Sequence, residues 1–351
     1  MNIAIIAITG NGARLGCQLR DALPDAVLHL PPKWADACMG PFTPFPGCLR
    51  ELVVQLWRKA DGLVFIMATG IVVRLIAPLL EGKDRDPAVV VMDDSAKFAV
   101  SLLSGHLGGA NDLAGRCAAI TGAMPVITTA TDANGLPSFD MLAKEQGWAI
   151  DDLSRVKTLN ALLLEKGRIA VVDPTGQVEQ HFCGRGNLTF HPDFTTALRS
   201  GASGFLFVTD RSLPPQLQHP ALLVLRPQNL VLGMGCNSGT SVEEIEEVVL
   251  CNLKRQFLSI RSVNCVATAA VKRDEPGLVE FAQKYSLPVV CFESNELNTV
   301  PSPSPPSRHA MEAIGATGVA EPAALLASGG GRLLLKKVKS GNVTLAIAEI
   351  Q

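Results

Sequence analysis

Short apolar runs recur along this chain, each followed by a turn and then by a stretch with helical periodicity. Asn2–Ile8 reads as a strand, with a helix over Gly12–Ala22. Leu63–Met67 and Ala88–Met92 are further strands, helices are expected over Ile71–Leu80 and Leu107–Thr121, and a strand over Pro125–Thr128. Strands this short, joined through helices, select a parallel α/β sheet. The turn-rich TDANGLPSFD, Thr131 to Asp140, closes this first unit.

The pattern continues with a helix over Asp151–Glu165 and strands at Arg168–Val172, Gly204–Val208 and Leu222–Leu225. Asp173, Thr175 and Gly176 between them are ordinary turn formers. At NLVLGMGCNSGTSVEEIEEVV, Asn229 to Val249, the alternation restarts. Thr240 or Ser241 offers an N-cap there, and Glu243 and Glu244 suit a first helical turn. Strands follow near Cys265–Thr268, Pro288–Phe292, Arg332–Lys337 and Val343–Ala348, with PSPSPPS (301–307) as a surface excursion. The expected fold is a multi-domain α/β chain of mostly parallel sheets flanked by helices. An N-terminal α/β domain (1–135) carries a glycine-loop ligand edge, a middle α/β domain spans 136–227, and a separate C-terminal α/β/α domain spans 228–351.

Composition removes several function classes. Net charge is −2, and one Tyr and three Trp leave little for base stacking, so no nucleic acid is expected as a partner. The first residues, MNIAIIAITGNG, lack a basic start and run into a glycine turn, which reads as a strand and not a signal peptide. No unbroken apolar run reaches roughly 18 residues, so no membrane span is expected. The nine cysteines include no C-x-x-C pair, which suits a reducing, cytoplasmic setting and offers no zinc-ligand spacing.

Four glycine turns follow strands: TGNGARLG (Thr9–Gly16), MATGIVVR (Met67–Arg74), SGHLGGAN (Ser104–Asn111) and GMGCNSGT (Gly233–Thr240). Unpaired amides at a helix start attract anions, and ligands of open α/β sheets gather at the carboxyl ends of strands. Three such turns in the N-terminal domain suggest one edge that grips a large polyanion. A dinucleotide fingerprint does not fit. The first glycines fall at 10, 12 and 16, and the next strand ends in LPP without an acidic residue for a ribose. Neither G-x-x-x-x-G-K-[ST] nor G-x-S-x-G occurs.

Of six histidines (29, 106, 181, 191, 219 and 309), His106 alone lies in a glycine-rich strand-to-helix turn. Its imidazole is the candidate general base, with the Gly108 and Gly109 amides steadying an oxyanion. Asp93 and Asp94 end the third strand; one of them would orient His106 or activate water, with Asp94 taken as the catalytic partner, although either can serve as a cap. Arg74 is the favoured clamp for a substrate carboxylate, ahead of Lys83, Arg85 and Lys97. Thr69, Gly70, Ser104, Gly105, Asn111, Thr131 and Asp132 complete the expected substrate contacts, with Thr128 beside them. In the last domain, Cys236 reads as a packed thiol. Lys272, Glu275 and Glu321 read as solvated or helix-starting charges.

These motifs together resemble the cobalt-precorrin-5A hydrolase family of anaerobic cobalamin biosynthesis. The resemblance rests on MATGIVVRLIAPLL (67–80), DPAVVVMDD (86–94), SLLSGHLGGANDLA (101–114) and TTATD (128–132). LGMGCNSGTSVEEIEE (232–247), VKRDEPGL (271–278) and GVAEPAALL (318–326) extend it to nearly the whole chain. It implies a reaction in which water opens a δ-lactone on a ring-contracting cobalt tetrapyrrole and a bridging carbon leaves as acetaldehyde. It implies a carboxylated small-molecule substrate that brings its own cobalt, and so no protein cofactor or metal site. A homodimer and contact with neighbouring enzymes of the pathway stay open. Three positions depart from the family pattern: Asn237 and Ser238 stand where a basic pair is usual, and Ala270 replaces an acidic residue, which weakens any anion-binding or catalytic role for the C-terminal domain. The rival readings are a non-catalytic corrinoid-binding protein and a nicotinamide-linked oxidoreductase.

Overall fold

The computed structural model describes every residue except Pro46, Lys83, Asp84 and Gln218, and for His309 the backbone alone. Two compact units divide it, Met1–Met141 and Leu142–Gln351.

The first unit is a seven-stranded sheet. In chain order it comprises β1 (Ile3–Ala7), helix α1 (Gly10–Ala22), β2 (Ala26–Leu30), β3 (Thr43–Pro44), α2 (Leu49–Trp57), β4 (Gly62–Ile66) and α3 (Thr69–Ile76). Then come β5 (Ala88–Met92), β6 (Phe98–Leu103), α4 (Ala110–Thr121), β7 (Met124–Val126), α5 (Ala130–Ala133) and α6 (Phe139–Gln146). The strand order is β3-β2-β1-β4-β5-β6-β7. The central strands are apolar on both faces because helices cover both. Ile3, Ile5, Val64, Ile66 and Val90 pack with Ala13 and Leu19 of α1 and Leu113 of α4. The alternate residues Ile6, Leu63, Phe65 and Val91 pack with Val53 of α2 and Val72 of α3.

Of the strands that the sequence reading did not anticipate, one moves the site. β6 had no counterpart there, and it runs antiparallel to β5, with Met92 opposite Ala99 and Val89 opposite Leu103. Asp93 makes the reversal: its carboxylate accepts the amides of Ser95, Lys97 and Phe98 at 2.7–3.2 Å, while Ala96 takes φ +55°. Burial alone would raise the Asp93 carboxyl, but those amides outweigh it and hold it below the usual carboxylate range. β7 then pairs parallel to β6. The carboxyl end of β6 therefore lies beside the amino end of β5, about 17 Å along the strands from the carboxyl ends of β4 and β5.

The second unit holds two sheets. In the first, β8 (Ala149–Ile150), β9 (Ile169–Val172), β10 (Leu188–Phe190), β11 (Gly204–Val208) and β12 (Leu222–Arg226) lie in the order β10-β9-β11-β12-β8. In the second, β13 (Leu230–Cys236), β14 (Val263–Ala269), β15 (Val289–Phe292), β16 (Arg332–Ser340) and β17 (Val343–Glu349) lie in the order β15-β14-β13-β17-β16. Gly233 lets the helix Ala320–Ala327 approach β13: a Cβ there would fall on the Ala320 carbonyl and within 2.7 Å of the Ala324 Cβ. Main-chain bonds from Ser212 to Phe257 and from Ser259 to Asp210, both 2.8 Å, tie the two sheets together.

The nine cysteines, read from their scatter as suiting a reducing setting, include one bridge. Cys17 of α1 and Cys38 are joined as a disulfide, 21 residues apart in the chain, with the Arg20 guanidinium against the sulfurs.

Candidate functional site

Ser104–Gly109 turns the chain from β6 into α4. The carbonyls of Ser104, Gly105 and His106 accept the amides of Ala110, Asn111 and Gly109 at 3.0–3.1 Å, which curls the loop that carries His106, whose side chain is 12% exposed. Ser104 sits at φ +57° and Gly109 at φ +89°. Gly108 lies against Ser104, where a Cβ would overlap the serine side chain and approach its carbonyl oxygen to 2.7 Å. The Ser104 hydroxyl donates to the Asp86 carbonyl at 3.0 Å, just before β5, which pins the loop to that edge.

His106 is gripped from both sides. Its Nδ1 is 3.1 Å from Asp140 Oδ2 and its Nε2 is 2.7 Å from Asp132 Oδ2. The Ser138 and Thr131 hydroxyls flank the same nitrogens at 3.5 and 3.3 Å. Two carboxylate acceptors call for two N–H donors, which only the imidazolium supplies. The hydrogen bond that His106 donates to Asp140 is the largest influence and raises the His106 pKa above the ordinary 6.5; burial opposes it, and the charge of Asp140 and the contact with Asp132 add to the rise.

Asn111, in the first turn of α4, extends the array. Its Nδ2 donates to Asp132 Oδ2 at 3.0 Å and to the Thr129 hydroxyl at 3.2 Å, while its Oδ1 accepts from Ser101 at 2.6 Å. The line Asp140–His106–Asp132–Asn111–Ser101 thus runs from a buried carboxylate out to an exposed one and back to half-buried Asn111 and Ser101: the Asp140 side chain is 5% exposed and that of Asp132 is 42% exposed.

The structure therefore brings together Ser104, Gly105, His106, Gly108, Gly109, Asn111, Thr131 and Asp132. The other expected contacts lie elsewhere. Thr69, Gly70 and Arg74 follow β4 at the opposite edge, and Arg74 folds back to donate to the Gly70 carbonyl at 2.9 Å. Asp94 also lies at that edge and accepts from the Thr9 hydroxyl at 3.3 Å, so neither Asp93 nor Asp94 orients His106. The expected single edge is corrected to two, because the β5–β6 turn reverses the chain. The expected oxyanion amides change as well: the Gly109 amide is spent on the His106 carbonyl, and only the Gly108 amide lacks a partner among the described residues. Exposed Arg85 pairs with Glu81, Lys97 and Thr128 are exposed, and Lys83 lies outside the described residues. Asp140, Ser138 and Ser101 were missed. The usable signal was two acids eight residues apart, bracketing the Gly135-Leu136-Pro137 turn.

In the second unit, Glu275 accepts the Gly239 amide at 2.6 Å and pairs with Lys272 at 2.8 Å, joining the two C-terminal motifs. Burial pushes the Cys236 thiol up by more than nearby Lys272 pulls it down, which disfavours a thiolate. Glu321 is 1% exposed and accepts the Ser304 and Lys337 amides, anchoring the proline-rich loop.

Comparisons with known proteins agree along the chain. Family models described as cobalamin synthesis G N-terminal, cobalamin biosynthesis central region and cobalamin synthesis G C-terminus match residues 51–132, 137–227 and 230–348. The cobalt-precorrin-5A hydrolase of Priestia megaterium is 37% identical, covering 99% of this chain and 94% of that protein. This chain belongs to the cobalt-precorrin-5A hydrolase family. The hydrolase of that name from Salmonella typhimurium is 31% identical over 99% of this chain and 97% of its own length. A solved cobalamin biosynthesis protein G homolog from Sulfolobus solfataricus is 22% identical, with a TM-score of 0.36, covering 99% of this chain and 97% of its own. The His106 array draws on two of the family-like motifs, SLLSGHLGGANDLA and TTATD, and adds Ser138 and Asp140 from beyond them.

Proposed function

We propose that this chain hydrolyses cobalt-precorrin-5A. Water opens the δ-lactone of the macrocycle, and the freed hydroxyl then loses its proton and collapses to release acetaldehyde, leaving cobalt-precorrin-5B. The observation that carries the reading is an imidazole held between a buried and an exposed carboxylate, in a chain alike over its length to hydrolases of that name. Such an array moves protons at a loop that reaches solvent, as ester hydrolysis needs. The C-terminal glycine loop suits the chemistry less. It borders a hollow of about 280 Å³ lined by Glu243, Glu275 and Glu280, and carboxylates repel a polycarboxylated substrate. β2 ends at Leu30 and runs into two prolines, with no carboxylate for a nicotinamide cofactor's ribose.

In this proposal cobalt arrives with the substrate and the protein supplies acid–base groups alone. Among the described residues no helix is long and apolar enough to cross a membrane. Incubating the protein with cobalt-precorrin-5A and trapping carbonyl products with a hydrazine tests the reading. The expected result is one equivalent of acetaldehyde per substrate. Tight binding with no aldehyde would make the protein a carrier of the intermediate instead.

A further inference from the structure

We propose that Asp132, through Oδ1, is the base that takes a proton from the attacking water, that His106 is the acid serving the departing oxygen, and that Asp140 is a positioning residue acting through His106. The inference rests on the hydrolase reading and assigns its roles. It reverses the simplest expectation, in which a neutral His106 is the base.

Geometry carries it. Both nitrogens of His106 face carboxylate oxygens, so a neutral ring would turn a lone pair toward an anion. The two carboxylates are not equivalent. Asp140 is 4% exposed at the head of α6 and cannot meet a substrate the size of a macrocycle. Asp132 reaches solvent. Its contacts with His106 and Asn111 both use Oδ2, and among the described residues Oδ1 has no partner. Asn111 is itself fixed by Ser101 and Thr129, so Oδ1 is aimed by a rigid chain of bonds. Among the described contacts, the charged groups facing His106 are Asp132 from α5 and Asp140 from α6. From α4 and β6 come Asn111 and Ser101, which carry no charge. The rise in the His106 pKa agrees with this placement.

The step balances as follows. The water oxygen bonds to the lactone carbonyl carbon while one of its protons passes to Asp132 Oδ1. The tetrahedral carbon then expels the ring oxygen with its bonding pair, and His106 gives that oxygen the Nε2 proton. The proton on Asp132 Oδ1 passes to solvent and Nε2 takes one back from solvent, restoring the 2.7 Å contact with Oδ2. The new carboxylic acid releases its proton to solvent. No oxidant, reductant or metal ligand from the protein is involved.

Acetaldehyde release from cobalt-precorrin-5A, followed in a single turnover across pH, separates the roles. With His106 as acid, the wild-type rate falls as pH rises through the raised His106 pKa. Asp140→Asn, which removes one of the two flanking charges, moves that fall to lower pH; a purely structural loss would lower the rate without moving it. Asp132→Ala should lose about 100-fold or more, and added formate should restore about tenfold by entering the vacated place. Asp140→Glu should recover the pH limb if Asp140→Asn folds poorly. A wild-type rate that rises through the same range, or an Asp132→Ala variant indifferent to formate, overturns the assignment. Absence of acetaldehyde from the wild type sinks the hydrolase reading instead, so the two failures are distinguishable.

Discussion

His106 decides its own protonation through its neighbours. Folding raises its pKa, so the native state binds the proton more tightly than the unfolded chain. That stabilisation is fully present below the ordinary value of 6.5 and is lost as pH rises through the raised value. Asp140→Asn should therefore lower the melting temperature more at pH 6 than at pH 9. Removing one partner of a buried pair costs about 3 kcal/mol, which sets the scale at the acid end. Thermal melts at the two pH values check this, and equal losses would mean that the charged pair does not form. Sequence alone marked His106, Asn111 and Asp132 through their glycine-rich turns. It missed Asp140, because nothing local distinguishes an acid at a helix start that caps the helix from one that reaches 34 residues back to an imidazole.

Among elements, the helices and buried strands were legible wherever apolar periodicity was long, as in β1, β4, β5 and α4. β6 was not, because FAVSLL runs into the glycine loop without a turn signal of its own. The Asp93 turn before it reads equally well as a helix cap. This one omission carried the error about the site, since the direction of β6 decides where the loop after it emerges. The Cys17–Cys38 disulfide was hidden for a related reason: the fold, not sequence spacing, brings α1 to Cys38. The loop itself yields an element-scale prediction. Gly108→Ala would drive a Cβ into Ser104 and displace the turn that carries His106. A shift of about 1 Å in a reacting group can cost up to about 100-fold, so turnover should fall by tenfold or more while far-ultraviolet circular dichroism stays unchanged. Full turnover in that variant would show that the loop tolerates the shift.

At the scale of the molecule, the α/β class and the mostly parallel sheets follow from the alternation of strands and helices. What no pattern revealed is that the first sheet presents two candidate edges. One lies at the carboxyl ends of β1 and β4, where the strand order changes direction and ligands of such sheets commonly bind. The other lies at the carboxyl end of β6, where His106, Asp132 and Asp140 meet. The account stands on the second edge. Its most direct test compares two variants in the acetaldehyde assay, His106→Gln and Asp94→Asn. His106→Gln should lower turnover by about 100-fold or more, while Asp94→Asn on the opposite edge stays within about threefold of wild type. The reverse ranking, with Asp94 essential and His106 dispensable, would contradict the account.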